Sequence, residues 1–441
     1  MDTAQRLAQH FEGTPPFLPE TPQNLEETGL HPDQISDLLL KHLYSRGTLA
    51  GLELAQEIGL PLQQVLESIL SHLQKEHWIE VRGADAGGLG TTRYQYSLTD
   101  KGRSRAREVM ERNGYVGVAP VSLAQYRQAV EAQAVESGSI SQGIVRQALA
   151  HLVLKEQTIR QVGPAVNSGR AIFLWGAPGN GKTATADAMG RMMPGNIFIP
   201  YAIDVEGNTV VLYDPMNHER VKDVSTKLLK RFDQRWMRIK RPVIMAGGEL
   251  VMENLDLSYD KTTRTHRAPF QMNANNGIFL IDDFGRQAMP PQALLNRWIM
   301  PLEKRRDFLT LVTGHQIEVP FDTLIIFSTN LDPDDLVDEA FLRRIRYKIQ
   351  FPDPTPTEFR EIFMRVCRTR GIPYQDEALK YLVQTYYLPD DRPFRSCQPR
   401  DLIEQLIDIA RFNQTRPVLS RELLDDAASS YFVRSTKKRP S

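Results

Sequence analysis

An apolar segment that runs into a glycine-rich turn constrains this chain more than any other part of its sequence. The segment is Ala171–Trp175, followed by Gly176-Ala177-Pro178-Gly179-Asn180-Gly181-Lys182-Thr183 and by small residues from Ala184 onward. This pattern predicts a strand, a tight loop and a helix. Glycines allow successive backbone N–H groups to face an anion, and the helix N-terminus adds positive charge. We therefore predict that residues 176–184 bind phosphate.

The last two residues of this motif predict its chemistry. Lys182 is expected to reach the β and γ phosphates of a nucleotide, and the Thr183 hydroxyl is expected to ligate Mg²⁺. The motif requires a strand before it and a helix after it, and the sequence has both patterns.

Two further apolar segments end in polar side chains that suit the same site. Ile278–Ile281 precedes Asp282 and Asp283, and Thr323–Thr329 precedes Asn330. The carboxyl ends of parallel strands meet at one edge of a sheet, where α/β proteins bind their ligands. We expect Asp282 to hold Mg²⁺ through water and Asp283 to orient or deprotonate the attacking water. Asn330 could hold that water or the γ-phosphate.

These segments resemble the motifs of AAA+ ATPases, and the resemblance covers about residues 150–434. GAPGNGKT is similar to the Walker A box, IFLIDD to the Walker B box and Asn330 to sensor 1. Where many members have Glu, this chain has Asp283, as do bacterial helicase-loader ATPases of the same superfamily. The resemblance implies a parallel-sheet α/β core with a helical lid that binds ATP and Mg²⁺ and hydrolyses ATP.

The same resemblance implies a ring, most simply a homo-hexamer, whose sites are completed by a neighbouring subunit. The segment Asp338-Glu339-Ala340-Phe341-Leu342-Arg343-Arg344 resembles the one that supplies arginine fingers. Arg343 and Arg346 match the family spacing, and Arg344 is a third candidate. Arg400, which follows Gln398-Pro399, matches sensor 2, a lid residue that contacts the γ-phosphate.

The sequence also predicts a division into domains. The expected parts are a flexible proline-containing leader (1–30), a winged-helix domain (31–113), a helical connector (114–150), the ATPase core (151–352, with an insert at about 198–270), the lid (353–434) and a basic tail (435–441). The expected connector helices are Val121–Val135 and Gln142–Leu154, and Gly163-Pro164 is expected to interrupt the helical pattern. A hairpin is expected at 201–213, turning at 206–208. The combination resembles uncharacterised bacterial AAA family ATPases.

The winged-helix prediction rests on three helical patterns followed by two strand patterns, 78–81 and 94–98. The stretch Tyr96–Arg103 resembles the strand-to-helix corner of bacterial winged helices. Residues 31–112 contain ten basic and eleven acidic side chains. A DNA-binding face normally has an excess of positive charge, so a protein-interaction role is favoured. The basic run Lys101–Arg107 keeps DNA binding open.

A second basic segment bears on the partner. Residues 219–241 contain nine Lys or Arg and three Asp or Glu, with Phe232 and Trp236 among them. Basic residues with aromatics can grip single-stranded nucleic acid, and they can also meet an acidic protein. The alternative is a solvated helix whose apolar face carries Val224, Leu228, Phe232 and Ile239.

Composition excludes several classes of protein. The 54 basic and 54 acidic residues balance, which argues against coating nucleic acid or membranes by bulk charge. Two cysteines exclude a disulfide scaffold. The polar N-terminal segment and the lack of about 18 consecutive apolar residues predict a cytoplasmic protein without integral membrane contact.

Together these features predict a ring-forming ATPase that remodels a macromolecular partner, and a protein client is favoured over nucleic acid. One alternative is a DNA-associated regulator or loader that uses the winged helix and residues 219–241. The other is a slow nucleotide-dependent switch.

Overall fold

The computed structural model describes residues 17–84, 94–136, 138–221, 232–336 and 342–432. The chain divides into two compact units. The first comprises Met1–Ser139, Met193–Leu280 and Gln287–Ile325, and the second comprises Ile140–Met192, Ile281–Arg286 and Ile326–Ser441. Within the described ranges, no helix combines the length and apolar character that a bilayer crossing requires.

Helices and strands alternate along most of the described chain. The helices are α1 Pro32–Arg46, α2 Gly51–Ile58, α3 Glu67–Lys75, α4 Asp100–Arg112, α5 Leu123–Ala132, α6 Gln142–Ala148, α7 Glu156–Asn167, α8 Lys182–Met192, α9 Phe270–Asn273, α10 Pro291–Lys304, α11 Pro333–Leu336, α12 Pro356–Arg370, α13 Asp376–Leu382, α14 Gln398–Phe412 and α15 Arg421–Tyr431. The strands are β1 Leu49–Ala50, β2 Ile79–Ala84, β3 Tyr94–Leu98, β4 Val121–Ser122, β5 Ile172–Trp175, β6 Asn196–Pro200, β7 Ala202–Val205, β8 Asn208–Val211, β9 Trp236–Lys240, β10 Val243–Ala246, β11 Ser258–Asp260, β12 Thr265–Arg267, β13 Ile278–Ile281, β14 Arg306–Thr310, β15 Gln316–Pro320, β16 Leu324–Thr329 and β17 Tyr347–Gln350.

The N-terminal part of the first unit contains the predicted three helices and two strands, with the short strand β1 in addition. The sheet order is β1-β3-β2, and both pairs are antiparallel. Ile35, Leu39 and Leu43 lie on one face of α1 and are at most 1% exposed. This face packs into a core with apolar residues of α2, α3 and β3, because the helical spacing of the leucines places them together.

Part of the predicted flexible leader packs on its own unit. Phe17 meets the Trp236 ring edge-on, with 5.7 Å between ring centroids. The backbone N–H of Asp233 donates to the Pro19 carbonyl at 2.9 Å. A short 3₁₀ turn, Glu26–Thr28, follows. Residues 17–30 are therefore a packed strap, and residues 1–16 lie outside the described part.

The predicted hairpin is present as β7 and β8. They are antiparallel, and Val205 pairs with Asn208 around a two-residue turn at Glu206-Gly207. Both turn residues have positive φ, 52° and 83°. That geometry is typical of a type I′ turn, whose twist matches that of the strands.

The structure of the basic segment 219–241 differs from the surface and from the solvated helix that were predicted for it. Residues 222–231 lie outside the described part, and Trp236–Lys240 form β9, so this stretch is a strand where a helix was considered. Phe232 and Trp236 are each 5% exposed. Their rings pack inside the unit and cannot stack on bases.

Two arginines of the same segment are also internal. Arg235 pairs with Asp233 at 2.7 Å, and both side chains are at most 3% exposed. The Arg241 guanidinium donates to the carbonyls of Pro194, Gln133 and Asn276. Both guanidinium groups are therefore buried in the first unit, where they bond Asp233 and backbone carbonyls.

The helices before β5 also correct the prediction. The helix expected over Gln142–Leu154 ends at Ala148, and α7 continues through Gly163-Pro164. Val162, Ala165 and Val166 on α7 are at most 2% exposed. Burial of this face offsets the cost of an internal proline, about 3 kcal/mol.

In the second unit, β5 lies between β16 and β17, and both neighbours run parallel to it. The order of the whole sheet is β10-β13-β16-β5-β17. The rings of Phe173, Phe284 and Phe327 pack together, with centroids 5.0–5.9 Å apart.

The second unit continues as helices after β17. Thr355 and Glu358 form a capping box at the start of α12. Helices α12 to α15 share one apolar core, so the region after β17 is helical, as expected.

Candidate functional site

The glycine-rich loop joins β5 to α8, as its sequence predicts. Gly176, Gly179 and Gly181 have φ values of 136°, 79° and 89°. A Cβ on Gly176 would lie 2.3 Å from the Phe351 carbonyl oxygen, so a side chain there would collide with backbone. Among the described residues other than its chain neighbours, none has a heavy atom within 4 Å of the corresponding position on Gly181. The loop is therefore held closely at its start and open beside the first turn of α8.

Lys182 is the first residue of α8 and is 6% exposed. Its Nζ donates to the carbonyls of Gly176 and Ala177 at 2.8 and 3.0 Å. It also donates to Asn330 Oδ1 at 2.7 Å. The ammonium thus links the loop to the end of β16.

Asp282, Asp283 and Asn330 meet at the strand ends, as the sequence predicts. Thr183 Oγ1 donates to Asp282 Oδ2 at 2.9 Å. Asn330 Nδ2 donates to Asp283 Oδ1 at 3.0 Å. Asp283 has φ 48°, a left-handed conformation that is uncommon outside glycine. Strain of this kind often accompanies functional sites.

The Thr183 hydroxyl and the Asp282 carboxylate fit Mg²⁺. Both present oxygen, the ligand atom that this ion prefers, and Mg²⁺ is commonly held by one or two protein groups plus water and phosphate. In the described ranges, no group of three or more His, Cys, Asp or Glu side chains could hold a metal by itself.

The electrostatics of Lys182 reflect burial. Burial lowers the pKa of the Lys182 ammonium, and the charges of Asp282 and Asp283 oppose that shift. The charge of Arg395 lowers the same pKa further. An ammonium in such surroundings gains more from an added anion than one in water does, because screening is weaker.

Sequence reasoning assigned Asn180 only to the loop, whereas the structure gives its side chain a specific place. Asn180 is 3% exposed, and its Nδ2 donates to Asp353 Oδ1 at 2.8 Å. Its Oδ1 accepts the backbone N–H of Ser396 at 3.2 Å. No local pattern indicates these contacts, since Asp353 follows β17 and Ser396 precedes α14.

A cavity of about 360 Å³ opens beside Asn180 and Gly181. Its wall includes Leu152, Val153 and Leu154 before α7, and Ile362 and Val366 on α12. Arg365 donates to the Ala150 carbonyl at 2.7 Å, which ties the two walls together. The side formed by α12 also carries Arg365, Thr369 and Arg370, so aliphatic and basic side chains share the lining.

The remaining predicted residues are not joined by these bonds. Arg343 and Arg346, between the described Leu342 and β17, are exposed, and Arg344 is half-buried. Asp338–Phe341 lie outside the described part. Arg400 borders the cavity, but its guanidinium bonds Asp401 at 3.1 Å and its side chain is 62% exposed. Pro178 and Ala184 are exposed along the loop and α8.

The helical C-terminal part of the chain matches a family of proteins. That family is described as a domain of unknown function (DUF8689), and the match covers residues 355–430. No curated protein matches the chain.

Among solved structures, NtrX from Brucella abortus is 16% identical, with a TM-score of 0.39, over 66% of this chain and 58% of that chain. NtrX in complex with ATP is 15% identical, with a TM-score of 0.38, over 63% and 57%. The Holliday junction branch migration motor RuvB from Thermotoga maritima is 13% identical, with a TM-score of 0.36, over 65% and 73%. This chain thus spans less than two thirds of the NtrX chains.

Proposed function

We propose that this chain is a Mg²⁺-dependent ATPase of the AAA+ type. The observation that carries the proposal is one bonded set at the strand ends. Lys182 bonds Asn330, Asn330 bonds Asp283, and Thr183 bonds Asp282. A phosphate loop, two carboxylates and a polar strand-end amide can hold the phosphates, the metal ion and the attacking water in phosphoryl transfer.

Each residue has a role in this proposal. Lys182 exchanges its bonds to loop carbonyls and Asn330 for bonds to the β and γ phosphates. Thr183 and Asp282 hold the metal, which when bound neutralises charge on the phosphate oxygens. Asp283 accepts a proton from, or orients, the attacking water, and Asn330 positions Asp283.

The open side of Gly181 leaves room for phosphate beside the N-terminus of α8, and backbone N–H groups there favour an anion. The adjoining cavity of about 360 Å³ suits a purine ring, because aliphatic side chains before α7 and on α12 can cover the base and neighbouring polar side chains can meet its edge. Arg400 borders the same cavity and is the proposed sensor 2 residue.

The proposed assembly is a homo-hexameric ring in which Arg343, Arg344 or Arg346 completes the neighbouring site. Arg343 and Arg346 are exposed, as a residue acting on another subunit must be. In this proposal, residues 31–113 are a winged-helix domain, 114–150 a connector, 151–352 the ATPase core and 353–434 the lid.

A protein client is proposed for the remodelling step. The exposed residues of α3 and the turn before it include Gln63, Gln64 and His72, with Lys75 as a basic residue. Gln side chains can read bases, but a DNA-binding face normally carries an excess of positive charge as well. The internal positions of Trp236 and Arg235 also disfavour stacking on nucleic acid.

The test measures phosphate release by the full-length chain with MgATP. Lys182→Ala should abolish turnover, and Arg343→Ala should lower it by a factor of roughly 10³ or more if Arg343 is the finger. Mixing the two variants should restore activity, because random assembly completes about a quarter of the sites. Arg411→Ala, which removes an exposed arginine of α14, is the matched control.

Three outcomes would contradict parts of the proposal. Wild-type protein without turnover would exclude the ATPase and leave a nucleotide switch. Failure of the mixture to recover would exclude Arg343 as a residue that acts in trans. Salt-dependent binding of a fluorescent single-stranded or duplex DNA by the full-length chain would favour the DNA-associated alternative.

A further inference from the structure

The segment before α14 lies directly on the glycine-rich loop. The backbone N–H of Ser396 donates to Asn180 Oδ1. A Cβ placed on Gly179 would lie 2.3 Å from Cys397 Sγ. The helical part of the second unit therefore touches the loop at two consecutive residues.

One carboxylate connects this segment to the loop. Asp353 Oδ1 accepts from Asn180 Nδ2 at 2.8 Å and also from the Arg395 guanidinium. We call Asn180, Asp353 and Arg395 the Asp353 cluster. Asn180 is almost fully buried, while the Asp353 and Arg395 side chains are 39% and 24% exposed. The cluster is thus anchored on the loop and reachable from solvent.

Arg395 is one carboxylate away from the glycine-rich loop, because Asp353 Oδ1 accepts from both Arg395 and Asn180. The next residue, Ser396, bonds the same Asn180 side chain. The Arg395 guanidinium is only 24% exposed, and burial lowers its pKa. A guanidinium that is partly removed from water is stabilised by a nearby anion. A polyphosphate on the loop would supply such an anion.

We infer that Arg395 binds the polyphosphate and that Asp353 holds Arg395 until nucleotide arrives. This inference rests on the proposed function and adds a phosphate-binding residue that lies outside the motifs. Asp353 and the nucleotide compete for one guanidinium, so the Asp353–Arg395 pair separates as phosphate binds. Because Arg395 precedes α14 and Asn180 belongs to the loop, occupancy of the loop changes how the helical part is held.

The test is a double-mutant cycle on MgATP affinity in the full-length chain, measured with a fluorescent ATP analogue. Arg395→Met should weaken binding about tenfold or more, since a charge-assisted hydrogen bond is lost. Asp353→Asn should tighten binding about two- to fivefold, because a partly exposed competitor is removed and an oxygen remains for Asn180. Asp353→Asn should have no such effect when Arg395 is already Met.

Two further variants serve as controls for the Arg395 and Asp353 substitutions. Glu377→Gln neutralises another exposed carboxylate of the helical region, one that pairs with Lys380, and should bind as wild type does. Arg395→Lys keeps the charge without the planar fork and should bind between wild type and Arg395→Met. All variants are compared by thermal unfolding without nucleotide, to establish that they are folded.

The outcomes separate this inference from the proposed function. Wild-type protein that binds no nucleotide would contradict the proposed function itself. Wild-type binding together with unchanged affinity in Arg395→Met would overturn this inference alone. Weaker binding in Asp353→Asn, whether or not Arg395 is present, would assign the cluster a purely structural role and would also overturn it.

Discussion

The contact between Gly179 and Cys397 allows a quantitative test of the loop. Gly179→Ala puts a Cβ in a residue with φ 79° and 2.3 Å from Cys397 Sγ. A non-glycine residue in the left-handed region costs roughly 1–2 kcal/mol. Overpacking adds roughly 1–3 kcal/mol, because the sulfur and the start of α14 must move. The expected total loss of stability is about 2–5 kcal/mol.

Gly181→Ala is the matched control. Its φ of 89° is similar, but the added Cβ has no neighbour within 4 Å among the described residues beyond those next to it in the chain. It should cost only the conformational part, roughly 1–2 kcal/mol. Adding Cys397→Ala to Gly179→Ala removes the sulfur and leaves Cys397 Cβ at 3.1 Å as the nearest contact. That double variant should recover most of the overpacking loss, measured against Cys397→Ala alone.

The assay is urea unfolding followed by pulsed hydrogen exchange of peptides from α14 and, for comparison, from α1. A chain with two compact units need not unfold in one global transition. Hydrogen exchange is therefore used, because it reports the unfolding of each region separately. The α14 peptides should lose protection earlier in Gly179→Ala, and the α1 peptides should not. Equal effects of Gly179→Ala and Gly181→Ala, or no recovery with Cys397→Ala, would refute the reasoning.

Three further predictions test other parts of the molecule. Asp233→Ala leaves the buried Arg235 charge unpaired and should destabilise the first unit by about 3–5 kcal/mol in urea unfolding, whereas Glu219→Gln, at the exposed pair with Lys240, should cost at most about 1 kcal/mol. The pKa of Lys182 is lowered by burial and should rise when phosphate binds, so ATP affinity should fall as pH rises through that lowered pKa. Titration should show no such fall in Lys182→Arg, whose guanidinium stays charged. Thr183→Val removes the hydroxyl that bonds Asp282 and should raise the Mg²⁺ concentration for half-maximal turnover about tenfold, whereas Thr183→Ser should stay near wild type.

Local patterns predicted much of the second unit. Ile172–Trp175 and Ile278–Ile281 are apolar runs that end where polar residues begin, so their strands could be located without tertiary information. The Thr355–Glu358 capping box marks the start of α12 because its bonds form within four residues. The turn Glu206-Gly207 is equally local.

The expectations about a partner depended on which side chains of the basic segment are exposed, and the sequence pattern does not show this. Trp236 and Arg235 in a basic segment resemble a nucleic-acid surface, yet both lie inside the first unit. Nothing in the segment distinguishes an exposed aromatic from one covered by Phe17. Only the folded chain brings that distant residue to the ring.

The sequence by itself located the glycine-rich loop, the strand-end carboxylates and Asn330. A glycine turn and an apolar strand are patterns of consecutive residues, so they can be recognised without knowing which distant elements pack together. Only the tertiary structure shows that Asn180 and Arg395 both donate to the carboxylate of Asp353. Asn180 and Asp353 are 173 residues apart in the chain, and they meet because β17 pairs with β5. Such a contact depends on how distant elements pack, which the side chains of one segment do not encode.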